Sequence, residues 1–407
     1  MKILFATLFS LFSFVAFSQD HPTCDGSRYL MDVFTEVDSI MDISFGSGVT
    51  IGGNEQELFM NIFEPSGDTA AERPVVIVAF GGSFIGGERE DVNFLCKSYA
   101  RKGFVAVTID YRLYDLPLFP IPTEEEMKVV VTKAVADMRG AIRFLRADAD
   151  TANAFKIDPN YIFLGGVSAG AIGAMHAAVL DETDNLPQDL IDIIEAEGGL
   201  EGTVNDLDYS SDVQGVVNFS GGLNDSKWID ANDPPFISVH DDGDMTVPFN
   251  EGFANIFGVD IIYMEGSGTC DYVADSVGVN SYLKVIEGSN GHVSYFLNEE
   301  TEQEMIDLTA SFLHDILCED DVLADKKIQP ELNAISLYPN PTGGILNIQH
   351  DLSVKYQVSI YSHTGIKLMQ TSLKNQIDIS GLNPGFYFLE FTSEDGSIRI
   401  TKRLIKQ

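Results

Sequence analysis

A serine on a tight small-residue turn, aspartates after a strand and a histidine on a glycine-rich loop are what acyl transfer requires. Ser168 lies in Gly166-Val167-Ser168-Ala169-Gly170, between the apolar run 161–164 and residues 171–180. The run reads as a buried strand and the segment after it as a helix. Strand, G-x-S-x-G, helix is the setting of a nucleophile elbow. Glycine or alanine beside the serine lets the two elements approach closely while the backbone takes a strained turn. A glycine-rich turn with an incidental serine would show the same five letters, so the other groups must decide.

A serine nucleophile needs a base, an acid to orient the base, and N–H donors for the oxyanion. Of the seven histidines, His21, His350 and His363 fall outside the expected sheet core, His176 inside the elbow helix, and His314 in a closing helix. His240 belongs to a strand. His292, in Gly288-Ser289-Asn290-Gly291-His292, follows the last expected strand on a loop able to swing an imidazole over the elbow. Three aspartates, Asp241, Asp242 and Asp244, follow the strand at 236–240. Asp244 is favoured because it directly precedes the point where the chain resumes its course at Val247-Pro248, with Asp241 and Asp242 as alternatives. Phe80-Gly81-Gly82-Ser83-Phe84 follows another apolar run, and Gly82, Ser83 and Ala169 are the expected backbone donors to an oxyanion. No metal or organic cofactor is implied.

These groups need a scaffold that brings strand ends together. Residues 74–80 and 161–164 are apolar runs, typical of strands buried on both faces, and 104–110 reads as another buried strand. Residues 91–102, 127–148 and 302–317 carry helical spacing, and 213–219, 236–240 and 281–286 read as further strands. Antiparallel strands lead at 42–46 and 57–63. Strands alternating with helices predict an α/β fold with a doubly wound, mainly parallel sheet. Residues 182–212 are acidic and amphipathic, and read either as a cap over the site or as a surface helix. Loops 113–126 and 182–212 are expected to shape the pocket. Residues 319–334 read as a linker, and 335–407 turn to short alternating runs between turn clusters, a small β-sandwich.

Residues 1–18 carry one positive charge, an apolar core and a small-x-small end at Ala16-Phe17-Ser18, the pattern of a signal peptide. The apolar run is shorter than the roughly 20 residues a span needs, so an exported soluble chain is expected, with residues 19–318 as its catalytic domain. Cys24, Cys96, Cys270 and Cys318 permit disulfides in that compartment. Expected proximity favours Cys24–Cys96 and Cys270–Cys318, with free buried thiols as the alternative. Residues 335–407 hold seven Lys/Arg against five Asp/Glu, so residues 1–334 carry −39 of the net −37. Nucleic acid and anionic surfaces are therefore poor partners for the large block.

Together these motifs resemble the carboxylesterase and hormone-sensitive-lipase side of the α/β-hydrolase superfamily, over roughly residues 55–316. The order Ser168, Asp244, His292 is that superfamily's triad order. Asp110-Tyr111-Arg112 is similar to its D-Y-R stretch, and residues 80–84 resemble its H-G-G-G-F loop with Phe80 for histidine and Ser83 for the third glycine. The resemblance implies a serine esterase acting through an acyl-enzyme on small or polymeric esters. A prolyl-oligopeptidase-like peptidase is a rival, disfavoured by the lack of an upstream propeller. A non-catalytic surface protein on a hydrolase scaffold is another, disfavoured because every triad member is present. The tail, with Leu337-Tyr338-Pro339-Asn340-Pro341, Ile377-Asp378-Ile379-Ser380-Gly381 and Gly385-Phe386-Tyr387, resembles a type A sorting domain of the type IX secretion system. That implies the secretion machinery as a partner and release or attachment at the cell surface. A carbohydrate-binding sandwich is the bland alternative.

Overall fold

The computed structural model describes residues 23–318, 335–338, 342–350, 356–362, 367–383, 385–393 and 399–406, which fall into two compact units. The expected signal peptide at 1–18 and linker at 319–334 lie outside the described residues.

The first unit opens with β1 (Val37–Val49) and β2 (Glu55–Pro65), paired antiparallel. β3 (Arg73–Ala79) follows, then α1 (Asn93–Lys102) and β4 (Val105–Ile109). Every residue of β3 and β4 is buried, which is why both are apolar apart from Arg73 and Thr108. Next come α2 (Glu124–Asp150), β5 (Ile157–Val167), α3 (Ala169–Val179) and α4 (Gln188–Ala196). The acidic stretch at 124–126 belongs to α2, not to the preceding loop. Thr123 caps the helix with the Glu126 carboxylate reaching back, a capping box whose T-x-x-E signature stands in the sequence.

β6 (Gly215–Phe219), the two-residue β7 (Gly222–Leu223) and β8 (Phe236–Asp241) lead to a hairpin of β9 (Glu251–Ile256) and β10 (Val259–Gly266). α5 (Ser267–Val277), β11 (Ser281–Ile286) and α6 (Glu299–Cys318) complete the unit. The sheet has eight strands in the order β1-β2-β4-β3-β5-β6-β8-β11. From β4 to β11 every neighbouring pair is parallel. The doubly wound sheet is as expected. The β7-β10-β9 sheet and α5 are elements that the sequence pattern does not announce.

One disulfide joins Cys24 to Cys318, whose Cα atoms are 5.7 Å apart; Cys96 and Cys270 are free and buried. Both expected pairings are thus wrong. The segments holding Cys24 and Cys318, at the two ends of this unit, meet because each packs on α1. Tyr29 N–H donates to Lys102 O at 2.7 Å, and Tyr99 and Thr309 hydroxyls bond at 2.8 Å. Burial pushes the Cys270 thiol up to about 12 and Cys96 well above its ordinary value, so neither is a ready nucleophile. The bridge closes a 294-residue separation, which chain entropy values at about 6 kcal/mol. Cys24→Ser is expected to lower Tm by about 5–10 °C. Thiol titration in denaturant should find two groups before reduction and four after, matching two free cysteines of four.

The second unit contains β12 (Ile335–Tyr338), β13 (Ile345–His350), β14 (Tyr356–Ser362), β15 (Lys367–Ser372), β16 (Gln376–Asp378), β17 (Gly385–Ser393) and β18 (Arg399–Lys406). They form antiparallel sheets β12-β13-β16 and β15-β14-β17-β18. Leu346 and Ile377 from one sheet share a core with Val358, Leu389 and Leu404 from the other. It is a small sandwich, as expected.

Candidate active site

The site forms where β3, β5, β8 and β11 end. Ser168 joins β5 to α3 with φ 55° and ψ −117°, outside the ordinary basins of a non-glycine residue. A Cβ on Gly166 would lie 2.3 Å from the Gly170 carbonyl carbon, and one on Gly170 2.3 Å from Ala79 O. Glycine at both places is a steric requirement of the elbow. The turn is fixed by Ser168 N–H donating to Phe219 O at 2.8 Å.

His292 arrives on the loop after β11. Its Nε2 lies 2.7 Å from Ser168 Oγ and its Nδ1 2.6 Å from Asp244 Oδ2. With Nδ1–H donated to the carboxylate, Nε2 is left to accept the serine proton. The Asp244 side chain is fully buried and that of His292 is 21% exposed. Burial alone would raise the Asp244 carboxyl. Hydrogen bonds from His240 and His292, the charge on His292 and the Thr246 N–H outweigh it and hold the group well below the usual carboxylate range.

The three aspartates divide the work. Asp244 takes the imidazole, and its Oδ1 accepts from Thr246 N at 2.8 Å and Val247 N at 3.1 Å. Asp241 accepts from the N–H and hydroxyl of Ser294, two residues beyond the histidine. Asp242 accepts from Gly288 N at 2.9 Å. The alternatives to Asp244 therefore hold the two ends of the histidine loop.

The expected oxyanion donors lie on the loop after β3 and at the start of α3. Ser83 and Ala169 flank Ser168 in the wall of one cavity, while Gly82 is not among its lining residues. Ala169 N is the first of α3, where an N–H has no partner within the helix. Gly82 (φ 131°), Ser83 (55°) and Phe84 (58°) turn the loop, and Gly82 O accepts from Ile85 N and Gly86 N at 3.0 and 3.1 Å. A Cβ on Gly81 would touch Ser168 Cβ at 3.2 Å, so the loop abuts the elbow. Phe80 stacks on Tyr111 at 4.3 Å, and the Tyr111 hydroxyl donates to Phe80 O at 2.7 Å. Its neighbours are paired too: Asp110 binds Arg89, and Arg112 binds the fully buried Asp137. The Asp-Tyr-Arg stretch thus braces the loop.

Sequence reasoning left His240 as a strand residue only. It is fully buried, with Nδ1 2.7 Å from Ser267 Oγ and Nε2 3.1 Å from Val247 O and 3.4 Å from Asp244 Oδ2. Its place just before three aspartates was the available signal. His176 packs in the elbow helix as expected and also lines the cavity. Burial lowers it to about 4 despite the bond to Ile172 O, so it stands neutral, and its Nε2 accepts Asn224 N–H.

The cavity beside Ser168 runs between α2, α3, α4 and the β9–β10 hairpin. Leu190 and Ile194 of α4 face it, as do Ala254, Ile256 and Met264 of the hairpin. None of residues 113–126 does, contrary to expectation. The segment around α4 is fastened by Lys128 to Asp189, Lys133 to Glu197, and Arg139 and Arg143 to Glu201. Among the described residues no group of three or more His, Cys, Asp or Glu could hold a metal ion, and no helix is long and apolar enough to cross a membrane.

Residues 60–227 match the BD-FAE family model, and residues 336–407 match that of the secretion system C-terminal sorting domain. Over 137 residues the chain is 30% identical to a fumonisin B1 esterase of Sphingopyxis macrogoltabida, covering 32% of this chain and 25% of that protein. The chain thus spans about a quarter of the length of that curated relative. Esterase 2 of Thermogutta terrifontis, solved phosphoramylated by tabun, superposes with a TM-score of 0.50 at 21% identity, covering 68% of this chain and 94% of its own. A truncated carbohydrate esterase from gut microbiota gives 0.48 at 18% identity, covering 70% and 98%. The chain carries a BD-FAE region within an α/β-hydrolase fold, followed by a type IX secretion sorting domain, the mark of a protein secreted or attached at the cell surface.

Proposed function

We propose that residues 23–318 hydrolyse carboxylic esters through a covalent acyl-enzyme. The unbroken hydrogen-bonded line from Ser168 through His292 to Asp244, at 2.7 and 2.6 Å, carries the reading. Ser168 Oγ attacks the ester carbonyl as His292 Nε2 takes its proton. The negative charge that develops on the carbonyl oxygen is met by backbone N–H groups at Gly82, Ser83 and Ala169. His292 then returns the proton to the leaving alcohol, and water repeats the sequence to free the acid. Asp244 keeps the imidazole in the required tautomer and offsets its charge. The partial match to an esterase supports the same chemistry.

Covalent labelling tests this directly. A fluorophosphonate should block hydrolysis of p-nitrophenyl butyrate and leave one adduct, on the peptide holding Ser168. Hydrolysis that persists after labelling, or an adduct on another residue, would refute the assignment.

A further inference from the structure

We infer that the cavity beside Ser168 takes the acyl side of the ester, and that this acyl group is an aliphatic chain longer than butyryl. The inference rests on the reading of Ser168 as nucleophile.

The side of the scissile bond follows from the proton path. At the tetrahedral carbon one substituent is the oxyanion, one is Ser168 Oγ, one is the leaving oxygen, and the last is the acyl chain. The leaving oxygen must receive its proton from His292, so the alcohol lies on the histidine's side. Ser83, Ser168 and Ala169 line the cavity and His292 does not. The cavity therefore extends along the remaining direction, that of the acyl carbon. On the histidine side the imidazole is 21% exposed, which leaves the alcohol in open surroundings.

The chemistry of the chain follows from the walls. Val131 and Val135 of α2, Ile172 of α3, Trp228, Ile256 and Met264 present apolar surface from different elements. Four of the polar wall residues have their groups engaged elsewhere. Lys128 pairs with Glu124 and Asp189, and Thr132 Oγ donates to Lys128 O at 2.9 Å. Neutral His176 uses both ring nitrogens. The Asn255 amide donates to Asp260 and accepts from Gly258 N, both within the hairpin. An acyl group bearing hydroxyls or carboxylates would lose its water and gain few partners, whereas a methylene chain loses nothing. The wall follows α3 through Ala169, Ile172, His176 and on to Leu180. At 1.5 Å per residue that path is about 16 Å, room for a chain well beyond butyryl.

The test uses the full chain with p-nitrophenyl acetate, butyrate, octanoate and laurate, and ethyl acetate beside octyl acetate. Each buried methylene is worth about two- to fourfold in kcat/KM, so octanoate should exceed acetate by at least about tenfold even with only about half of its extra methylenes buried. Octyl acetate should show no such gain over ethyl acetate. Ala254→Phe and Val135→Phe fill the cavity from different elements, β9 and α2. In either variant that folds, the octanoate-to-acetate ratio should fall at least about fivefold. A wild-type protein that hydrolyses acetate with no gain toward octanoate would overturn the inference while leaving the esterase standing. So would a gain confined to octyl acetate, or a ratio unchanged in both filled variants. Turnover that survives Ser168→Ala would instead remove the reading beneath it.

Discussion

Ser168→Ala is expected to lower kcat/KM toward every ester by four to six orders of magnitude, about 5–8 kcal/mol of transition-state stabilisation. In the proposed acyl-enzyme mechanism the substitution removes the atom that forms the covalent bond, and no other group takes its place at the same carbon. Oxyanion donors and substrate binding would remain, and with them a small rate above the uncatalysed one. Stability should hardly move. Ser168 is 8% exposed, and its Oγ bonds to an imidazole that water can reach in its place. Alanine keeps the Cβ and inherits the same positive φ of 55°. Ser168→Gly, free of that strain, should be equally inactive and at least as stable. Kinetics with p-nitrophenyl butyrate and a thermal melt on all three proteins check this. Activity above about 1% in the alanine variant would mean another nucleophile.

The parts of this site that were legible in the sequence are those where sterics leave no choice. Gly166 and Gly170 could be read because a Cβ at either would strike backbone. β3 and β4 could be read because strands buried on both faces tolerate no polar alternation. The β9–β10 hairpin was missed for the opposite reason. Its turn places Phe257 at φ 52°, followed by Gly258, where asparagine or aspartate is the usual signal. The wall of the cavity therefore had no mark in the chain. Cysteine pairing was illegible because it depends on where α6 ends against the N-terminal segment, a tertiary fact. His240 was visible as a residue but not as a partner. Only the fold brings it within 3.4 Å of the carboxylate four residues on.

Asp244→Asn is expected to reduce kcat by three to four orders of magnitude with KM changed little. The asparagine would still fill the buried site, so the fold stands. Its amide can turn an N–H toward His292 Nδ1, which then must accept. Nε2 in that tautomer carries the proton and cannot take one from Ser168. The loss lies in the chemical step, which is why kcat falls and binding does not. His240→Gln provides the graded comparison. It removes one bond to the carboxylate but leaves the contact of Asp244 with His292 at 2.6 Å and with two N–H groups. A fall in kcat of about tenfold is expected there, on the scale of one supporting bond. Asp241→Asn and Asp242→Asn act on the ends of the histidine loop instead, so their cost should appear in stability as much as in kcat. A mild effect at Asp244 beside a severe kcat loss at Asp241 would reassign the orienting acid. The geometry argues against that outcome, because both Asp241 oxygens are already taken by Ser294.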